Sequence, residues 1–265
     1  MADDRNGNWD VIAVPWHLDE HIPEFPIPAN ATETICPSLP EGAVPARMAL
    51  LHQEVADAVA RAARPLVLSG DCPSAWGVVA GLQRRDRDVA VVWLDAHGDF
   101  NTPTITTSGY LGGMALATLT GRTPELSSDG LGLRPVADTN IVLADARDLD
   151  PAERDALTAS QVRRTPADPA ALTRALDYVG HLPVYLHLDI DVIDSAELPG
   201  LRFPSGPGPS LTQIEECLAA VCATADVRAA YIACAWLPDR VSDQTTREAI
   251  SRLTRALGAD VAWHQ

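Results

Sequence analysis

Lysine is absent from this chain of 265 residues, so all 20 of its basic side chains are arginines. Without lysine the chain cannot form a lysine Schiff base with a carbonyl substrate, which excludes that class of enzyme chemistry. Positive charge is scarce in total as well, because 36 acidic residues leave a formal net charge of −16. A chain this acidic is poorly suited to nucleic acid or to an anionic membrane surface, and we expect neither as a partner.

The chain also lacks a disulfide framework and long apolar runs. Its five cysteines are odd in number, scattered and without a C-x-x-C motif, which is typical of a reducing compartment. The first ten residues are polar, unlike the apolar core of a secretory signal, and no apolar run reaches the length of a membrane span. We therefore expect a cytoplasmic protein with free thiols.

The apolar residues that are present, 46% of the chain, fall in short continuous runs. These runs predict strands. The segment 162–164 is a further possible short strand. Strands that are apolar throughout are typical of a parallel sheet covered on both faces, because both sides of each strand are then buried. The predicted strands are 10–15, 65–69, 88–94, 140–144, 183–188 and 227–235.

Segments with helical periodicity separate these strands, which is the pattern of an α/β fold in one large domain or two small ones. The last helix has Ser242 as its predicted N-cap. The proline-rich segment 16–42 is predicted to be a loop, and loops of that length in compact domains are usually functional. The predicted helices are 44–63, 73–85, 114–120, 151–159, 169–179, 212–223 and 242–257.

Acidic motifs follow two of the apolar runs. Asp95, His97 and Asp99 end one run, and Asp189 and Asp191 end another. Alternate side chains of an extended strand point to the same face, so each motif should present its side chains together. Both motifs lie at the carboxyl ends of predicted parallel strands, where ligand sites of such sheets occur. Four carboxylates and one imidazole in one place repel one another unless a cation lies among them, and the oxygen-rich set favours Mn²⁺ or Mg²⁺ over Zn²⁺.

At this point the residues resemble a known family. The stretches 93–103 and 188–194, followed by Pro199-Gly200, are similar to motifs of the ureohydrolase superfamily, which contains arginases and agmatinases. Ser108-Gly109, Gly113-Met114 and residues 147–151 resemble further motifs of the superfamily, in family order. The resemblance covers roughly residues 10 to 255.

The resemblance implies a fold, an activity and a cofactor. The fold would be a three-layer α/β/α sandwich around a mainly parallel eight-stranded sheet, with residues 1–265 forming a single catalytic domain. The activity would be that of a hydrolase acting on linear amidines, in which a water bridging two Mn²⁺ ions attacks a guanidine. The partner would be a small guanidino amino acid, and a homo-oligomer is left open.

The resemblance also assigns metal ligands by position. Asp95, His97, Asp99, Asp189 and Asp191 would bind the two ions, and Asp95 and Asp189 would bridge them. Asp99 would also move a proton to the leaving nitrogen, so Asp95 and Asp99 are the expected catalytic residues.

Three further positions would hold the amino-acid end of the substrate. By resemblance to arginases, Asn101 and Ser108 would contact an α-carboxylate and Asp150 an α-ammonium group. Each has a structural alternative, because Asn101 suits an Asx turn, Asp150-Pro151 has the form of a helix start, and Ser108 suits hydrogen bonding within its loop.

Three positions depart from the family pattern. Cys72 stands where the family has a histidine ligand, Gly112 where arginases have a proton-shuttling histidine, and Ala235 where a glutamate holds the guanidinium. Thiolate is softer than imidazole and matches Mn²⁺ less well, so we expect Cys72 to be a metal ligand in a site that is weak or empty. The alternative for Cys72 is a small buried residue at a strand end. Trp236 is expected to line the pocket where the glutamate is missing.

The departures at Gly112 and Ala235 bear on the substrate. Loss of a guanidinium-binding carboxylate should cost least for a guanidine of low pKa, such as an N-hydroxyguanidine. With Asn101, Ser108 and Asp150 retained, the leading hypothesis is hydrolysis of Nω-hydroxy-L-arginine to L-ornithine and hydroxyurea. The alternatives are hydrolysis of arginine, agmatine or another guanidino compound, and a degenerate homologue that binds such a metabolite without turnover.

Overall fold

The centre of the fold is a sheet of eight strands in which all recorded pairs of neighbours are parallel. The computed structural model describes residues 8–85, 88–127, 129–237, 239–240 and 243–264. In chain order the strands of this sheet are β1 (Asp10–Val14), β4 (Glu33–Thr34), β5 (Pro65–Ser69), β6 (Ala90–Asp95), β7 (Ile141–Asp145), β8 (Arg163–Thr165), β9 (Val184–Asp189) and β10 (Val227–Ala233). Their order in space is β4-β1-β5-β10-β9-β6-β7-β8, so the expected eight-stranded, mainly parallel sheet is confirmed.

Helices cover both faces of the sheet. Residues of the first four helices pack into one apolar core and residues of the last three into another, which confirms the three-layer α/β/α sandwich. Among the residues described, no helix is both long and apolar enough to cross a bilayer. The helices are α1 (Val44–Arg61), α2 (Ala75–Arg84), α3 (Ala115–Leu119), α4 (Pro151–Ala159), α5 (Pro169–Val179), α6 (Leu211–Thr224) and α7 (Gln244–Ala256).

Strand β6 shows why the predicted strands are apolar throughout. Val91 and Trp93 belong to the core beneath α1–α4, whereas Val92 and Leu94 belong to the core beneath α5–α7. Successive side chains of a strand point to opposite faces, so a strand between two helical layers buries every residue. All five cysteines, which lie within the described ranges, are free thiols as expected.

Local signals set several helix starts. Ser210 and Gln213 form a reciprocal capping box at the start of α6, and Asp168 accepts a hydrogen bond from the Ala171 amide at the start of α5. These bonds satisfy amide groups that have no partner within the helix. Helix α7 begins at Gln244 after Asp243, and the predicted N-cap Ser242 lies outside the described residues.

The segment 16–42 is not wholly a loop, contrary to the prediction. It contains a two-stranded antiparallel ribbon of β2 (Trp16–His17) and β3 (Glu20–His21), and strand β4 at the edge of the main sheet. Strand β4 pairs with β1 through Glu33 and Thr34. Each of these strands has only two residues, too few to produce a recognisable period in the sequence.

The order of the central strands places the site. Strands β5, β10, β9 and β6 are neighbours, although their chain order is different. Their parallel carboxyl ends lie at one edge of the sheet and lead into Cys72, Ala235, Asp189 and Asp95 respectively. Sites of open α/β sheets form at such edges, where the strand order reverses.

Helices α1 and α2 pack closely through glycines of α2. A Cβ atom added at Gly77 would lie 2.6 Å from the His52 carbonyl oxygen, and one at Gly81 would lie 2.6 Å from the Ala56 carbonyl oxygen. Because these neighbours belong to the backbone of α1, a methyl group cannot be accommodated without separating the helices.

We expect Gly77→Ala to lower the free energy of unfolding by about 1–3 kcal/mol, the usual cost of overpacking. Urea denaturation of the wild type and the variant measures this difference. Gly130→Ala is the matched control, because its added Cβ would meet no atom within 4 Å. Equal losses in the two variants would contradict close packing of α1 on α2.

Candidate metal centre and substrate pocket

The predicted site residues line a single pocket at the carboxyl ends of the central strands. All nine contribute to its wall, so the structure brings together side chains that are up to 119 residues apart in sequence, from Cys72 to Asp191. The nine are Cys72, Asp95, His97, Asp99, Asn101, Ser108, Asp150, Asp189 and Asp191. Their convergence agrees with the prediction of one site, and the role of each remains a prediction.

Asp95, His97 and Asp99 reach the same pocket for a reason other than the alternation of side chains along a strand. Strand β6 ends at Asp95, and His97 and Asp99 follow it in irregular backbone. Asp99 has a φ of 49°, in the left-handed region that few residues other than glycine adopt. Its carbonyl oxygen accepts a hydrogen bond from the Ala117 amide at 2.9 Å. The expectation that one extended face carries all three side chains is therefore wrong, although the three do reach the same pocket.

Hydrogen bonds hold the half of the site around His97. Asp95 accepts bonds from the Trp93 indole at 3.1 Å and from the His97 amide at 2.7 Å. His97 Nδ1 lies 3.0 Å from Asp191 Oδ2 and 3.4 Å from Asp95 Oδ1. Asp95, His97 and Asp191 thus offer ligand atoms within 4.8 Å of one another. All three belong to the ligand set that the family resemblance predicts.

Cys72 lies in the other half of the site. Its buried thiol donates a hydrogen bond to Asp189 Oδ2 at 3.0 Å, and Asp189 Oδ1 accepts one from the Asp191 amide at 2.9 Å. Burial, and then the neighbouring Asp189 carboxylate, raise the pKa of the Cys72 thiol well above its usual value. Without a cation nearby, Cys72 is therefore a neutral hydrogen-bond donor.

His187 lies beneath Cys72 in the core. Its ring stacks between Trp93 and Tyr231, with centroid distances of 3.4 and 4.7 Å, and its Nδ1 lies 3.0 Å from the Tyr185 hydroxyl. Its Nε2 has no hydrogen-bond partner among the described residues. A ring nitrogen of His187, the Cys72 thiol and an Asp95 oxygen lie within 4.8 Å of one another. Sulfur and nitrogen donors make this group softer than the group around His97.

Electrostatics show that the site lacks positive charge. His97 is the only basic side chain among the described residues that line the pocket, against eight acidic ones. The acidic side chains are Asp71, Asp95, Asp99, Asp148, Asp150, Glu153, Asp189 and Asp191.

The pKa values in the cluster follow from this imbalance. Burial and then the charge of Asp95 raise the pKa of Asp99 well above its usual value, and burial raises that of Asp191 to about 7. Burial would lower the pKa of His97, but its hydrogen bonds to Asp191 and Asp95 outweigh this and raise it to about 12. Without a cation, the raised pKa values therefore favour protonated side chains in the cluster.

The residues fit a divalent cation. Asp99 Oδ2 is buried and has no hydrogen-bond partner among the described residues, and such an atom is costly unless a cation or donor meets it. Carboxylate oxygens dominate the donor set, as hard divalent cations require. A cation among these acids would also replace the protons that hold the cluster together.

The outer half of the pocket contains the positions predicted to bind an amino-acid group. Asp150 accepts a hydrogen bond from the Thr107 hydroxyl at 3.0 Å and lies 3.4 Å from the Asn101 side-chain nitrogen. It occupies the N-cap position of α4, but its side chain makes no capping bond to a described residue. Asn101 Oδ1 is buried without a described partner. Ser108 accepts a bond from the Tyr110 amide at 3.2 Å, as its loop alternative predicts, and also lines the pocket.

Asp71, Glu153 and Phe203 also line the pocket and were not predicted as site residues. Asp71 directly precedes Cys72 after β5, a position at a strand end that could have indicated it. Glu153 accepts a hydrogen bond from the Phe100 amide at 2.8 Å, and Phe203 comes from a proline-rich loop with no evident signal.

Tyr110 fills the space beside Gly112. A Cβ atom added at Gly112 would lie 2.6 Å from the Tyr110 hydroxyl oxygen. That hydroxyl lies 3.4 Å from His17 Nε2, and the two rings stack with centroids 5.8 Å apart. Tyr110 was not predicted as a site residue from the sequence.

Ala235 also lines the pocket. Trp236 is 4% exposed and belongs to the apolar core under α5–α7. The expectation that Trp236 lines the pocket is wrong, because its indole packs inward after β10.

Known proteins are similar to this chain in sequence. A family model described as "Arginase family" matches residues 21–258. An N(omega)-hydroxy-L-arginine amidinohydrolase of Streptomyces lavendulae is 35% identical over 146 residues, which cover 55% of this chain and 52% of that protein. An arginase of Brevibacillus brevis is 34% identical over 164 residues, 58% of this chain and 55% of that protein. The chain spans about half the length of the curated relatives it matches.

Solved structures are similar over nearly the whole chain. An arginase from Bacillus cereus has a TM-score of 0.81 at 24% identity and covers 94% of this chain and 98% of its own. A formimidoylglutamase from Bacillus subtilis has a TM-score of 0.72 at 16% identity, with 95% and 86% covered. At these identities the likeness shows the fold alone.

We expect Cys72→His to raise the number of Mn²⁺ ions that the purified protein retains after dialysis, because a neutral imidazole is a better ligand for Mn²⁺ than a buried thiol of raised pKa. Elemental analysis measures the metal content per chain. Cys222→His, at a half-buried cysteine outside the pocket, is the matched control. If Cys72→His retained no more Mn²⁺ than the wild type, residue 72 would not reach the metal.

Proposed function

Because the chain belongs to the arginase family, we propose that it is a metal-dependent amidinohydrolase that cleaves a guanidine C–N bond. The observation that carries this proposal is the buried donor set at the carboxyl ends of β5, β9 and β6. The ligands would be Cys72, Asp95, His97, Asp99, Asp189 and Asp191, holding two Mn²⁺ ions, the one beside Cys72 more weakly. Bound there, divalent ions would lower the pKa of a water molecule and so supply a nucleophile at neutral pH.

Asp99 is the residue best placed to move a proton. Its Oδ2 atom is buried in the pocket without a described hydrogen-bond partner, and its pKa is raised by burial and by Asp95. A carboxylate in this position can accept a proton from the attacking water and pass it to the leaving amine nitrogen. The leaving nitrogen needs such a proton, since an amine leaves far more easily than its anion.

The outer pocket suits the α-amino acid end of a substrate. Asp150 presents a carboxylate to an ammonium group, and its side chain is not engaged in capping α4. Asn101 and Ser108 are near enough to the same wall to hold an α-carboxylate. An amino-acid end bound here would place a side-chain guanidine toward the acidic cluster.

The inner wall favours a guanidine that carries little charge. At Ala235 the wall is a methyl group, which offers no acceptor to a guanidinium cation. An N-hydroxyguanidine has a lower pKa than a guanidine because its hydroxyl withdraws electrons. We therefore infer that the substrate is Nω-hydroxy-L-arginine, which water would split into L-ornithine and hydroxyurea. The Streptomyces lavendulae relative supports this choice, since its name specifies that substrate.

L-Arginine is the second candidate substrate. The residues proposed to bind the amino-acid end do not distinguish it from the hydroxylated compound, and the Brevibacillus brevis relative is an arginase. The inner wall is the part of the pocket that separates the two candidates.

We expect the Mn²⁺-loaded protein to hydrolyse Nω-hydroxy-L-arginine faster than L-arginine, because the wall at Ala235 gives the cationic guanidinium no partner. Ornithine release from each substrate under identical conditions measures the two rates. Asp99→Asn should lower kcat about 10²- to 10⁴-fold through loss of proton transfer, with the melting temperature as a control for folding.

Equal rates on the two substrates would contradict the choice of hydroxyarginine. No turnover of either substrate by metal-loaded protein would contradict an enzymatic function and favour a chain that only binds a guanidino metabolite.

We expect Asp150→Asn to raise KM for the preferred substrate about 10- to 100-fold with a smaller change in kcat, because a charge-assisted hydrogen bond to the α-ammonium group is lost. Steady-state kinetics measure both parameters. Asp155→Asn is the matched control, an exposed aspartate on the same helix. An unchanged KM would show that Asp150 does not bind the substrate.

A further inference from the structure

We infer that the Tyr110 hydroxyl, oriented by His17, binds the reacting guanidine end of the substrate and selects for an uncharged N-hydroxyguanidine. This inference rests on the proposed function and assigns a specificity-determining residue to it. Neither Tyr110 nor His17 belongs to the metal-ligand set.

Tyr110 occupies its position because residue 112 is a glycine. Its ring lies where a side chain at Gly112 would begin, and Tyr110 lines the same pocket as Cys72 and Asp99. Bonds within its loop fix the backbone, since the Tyr110 amide donates to Ser108 Oγ at 3.2 Å and the Gly109 amide donates to Thr106 Oγ1 at 3.1 Å. The loop therefore holds the ring at the inner wall.

Polar groups behind Tyr110 determine which way its proton points. His17 is 6% exposed, and its Nδ1 lies 3.5 Å from the Gly70 carbonyl oxygen and 3.7 Å from Asp71 Oδ2. The Gly70 carbonyl oxygen can only accept, so a neutral His17 carries its proton on Nδ1 and leaves Nε2 as an acceptor. The Tyr110 hydroxyl then donates to His17 Nε2 and presents its oxygen lone pairs to the pocket.

Both members of this pair are uncharged. Burial, and then the charge of Arg202, lower the pKa of His17 to about 4. Burial and then the carboxylate of Asp71 raise the pKa of Tyr110 beyond its usual value. The inner wall thus offers a neutral hydrogen-bond acceptor at Tyr110 and only a methyl group at Ala235.

A neutral acceptor suits an uncharged donor. The hydroxyl of an N-hydroxyguanidine can donate to the Tyr110 oxygen, whereas a guanidinium cation needs an anionic partner to offset the loss of its hydration. A site built around a hydrogen bond to a substrate hydroxyl disfavours the analogue that lacks it, because the polar group of the site is then left unpaired. Tyr110 would therefore separate hydroxyarginine from arginine.

Tyr110→Phe tests this role, because it keeps the ring and removes only the hydroxyl. We expect kcat/KM for Nω-hydroxy-L-arginine to fall about 10- to 100-fold and kcat/KM for L-arginine to change much less. Tyr178→Phe, at a 46% exposed tyrosine of α5, is the matched control and should leave both values unchanged. Equal losses on both substrates, or no loss on either, would overturn the assignment.

His17 is a positioning residue, and two variants test that role. His17→Ala should reproduce the selective loss seen in Tyr110→Phe, and His17→Gln should restore part of it, because a glutamine oxygen can accept the Tyr110 proton. If His17 had only a structural role, His17→Ala would lower kcat/KM for both substrates equally, and His17→Gln would not restore either value.

Equilibrium binding separates the failure of this inference from the failure of the proposed function. Calorimetry with Mn²⁺-loaded wild type should show tighter binding of hydroxyarginine than of arginine, and Tyr110→Phe should remove that difference. If the wild type binds hydroxyarginine more tightly than arginine, Tyr110→Phe removes that difference and neither compound is hydrolysed, the enzymatic function is overturned but the role of Tyr110 in selectivity is supported. Turnover with a selectivity that Tyr110→Phe leaves unchanged would overturn the role of Tyr110 alone. Binding of neither compound by the wild type would overturn both.

Discussion

The burial of several carboxyl groups at one edge of the sheet is the constraint on which this structure depends. Asp95, Asp99, Asp189 and Asp191 are each at most 5% exposed, and an unpaired buried charge costs several kcal/mol. Asp95 is stabilised by Trp93 and His97, but Asp99 Oδ2 has no partner in the described part of the chain. The parallel strand ends and the irregular backbone after β6 bring these carboxyl groups together, and the need for a divalent cation follows from their burial.

The two halves of the acidic cluster differ in chemical softness. Around His97 the donors are carboxylates and one imidazole held by close hydrogen bonds, whereas on the other side Cys72 and the unpaired His187 nitrogen introduce sulfur and a core imidazole. Hard ions prefer the first group and softer ions the second. Cys72 therefore makes the site asymmetric, while Asp95 belongs to both groups of possible ligands.

The inner wall of the pocket bears on the charge of the substrate. Gly112 leaves room for the Tyr110 ring, Ala235 leaves a methyl group, and His17 orients the phenol. The polar contact available there is neutral, although acidic side chains crowd the rest of the pocket. The inner wall offers no anionic partner to a cation, and the acidic cluster at the bottom of the pocket needs cations. Both features fit the proposal that an uncharged guanidine derivative binds over a metal centre.

The sequence alone determined the layered α/β fold, since fully apolar runs such as 91–94 require cover on both faces of a strand. It also determined the acidic motifs, because four carboxylates at strand ends imply a cation whatever the details of the backbone. Tertiary structure alone decided that β4 is a strand, that His97 and Asp99 reach the pocket through irregular backbone, and that Trp236 turns inward. It also placed Tyr110 and His17, which are 93 residues apart, because contacts across the fold leave no local pattern in the chain.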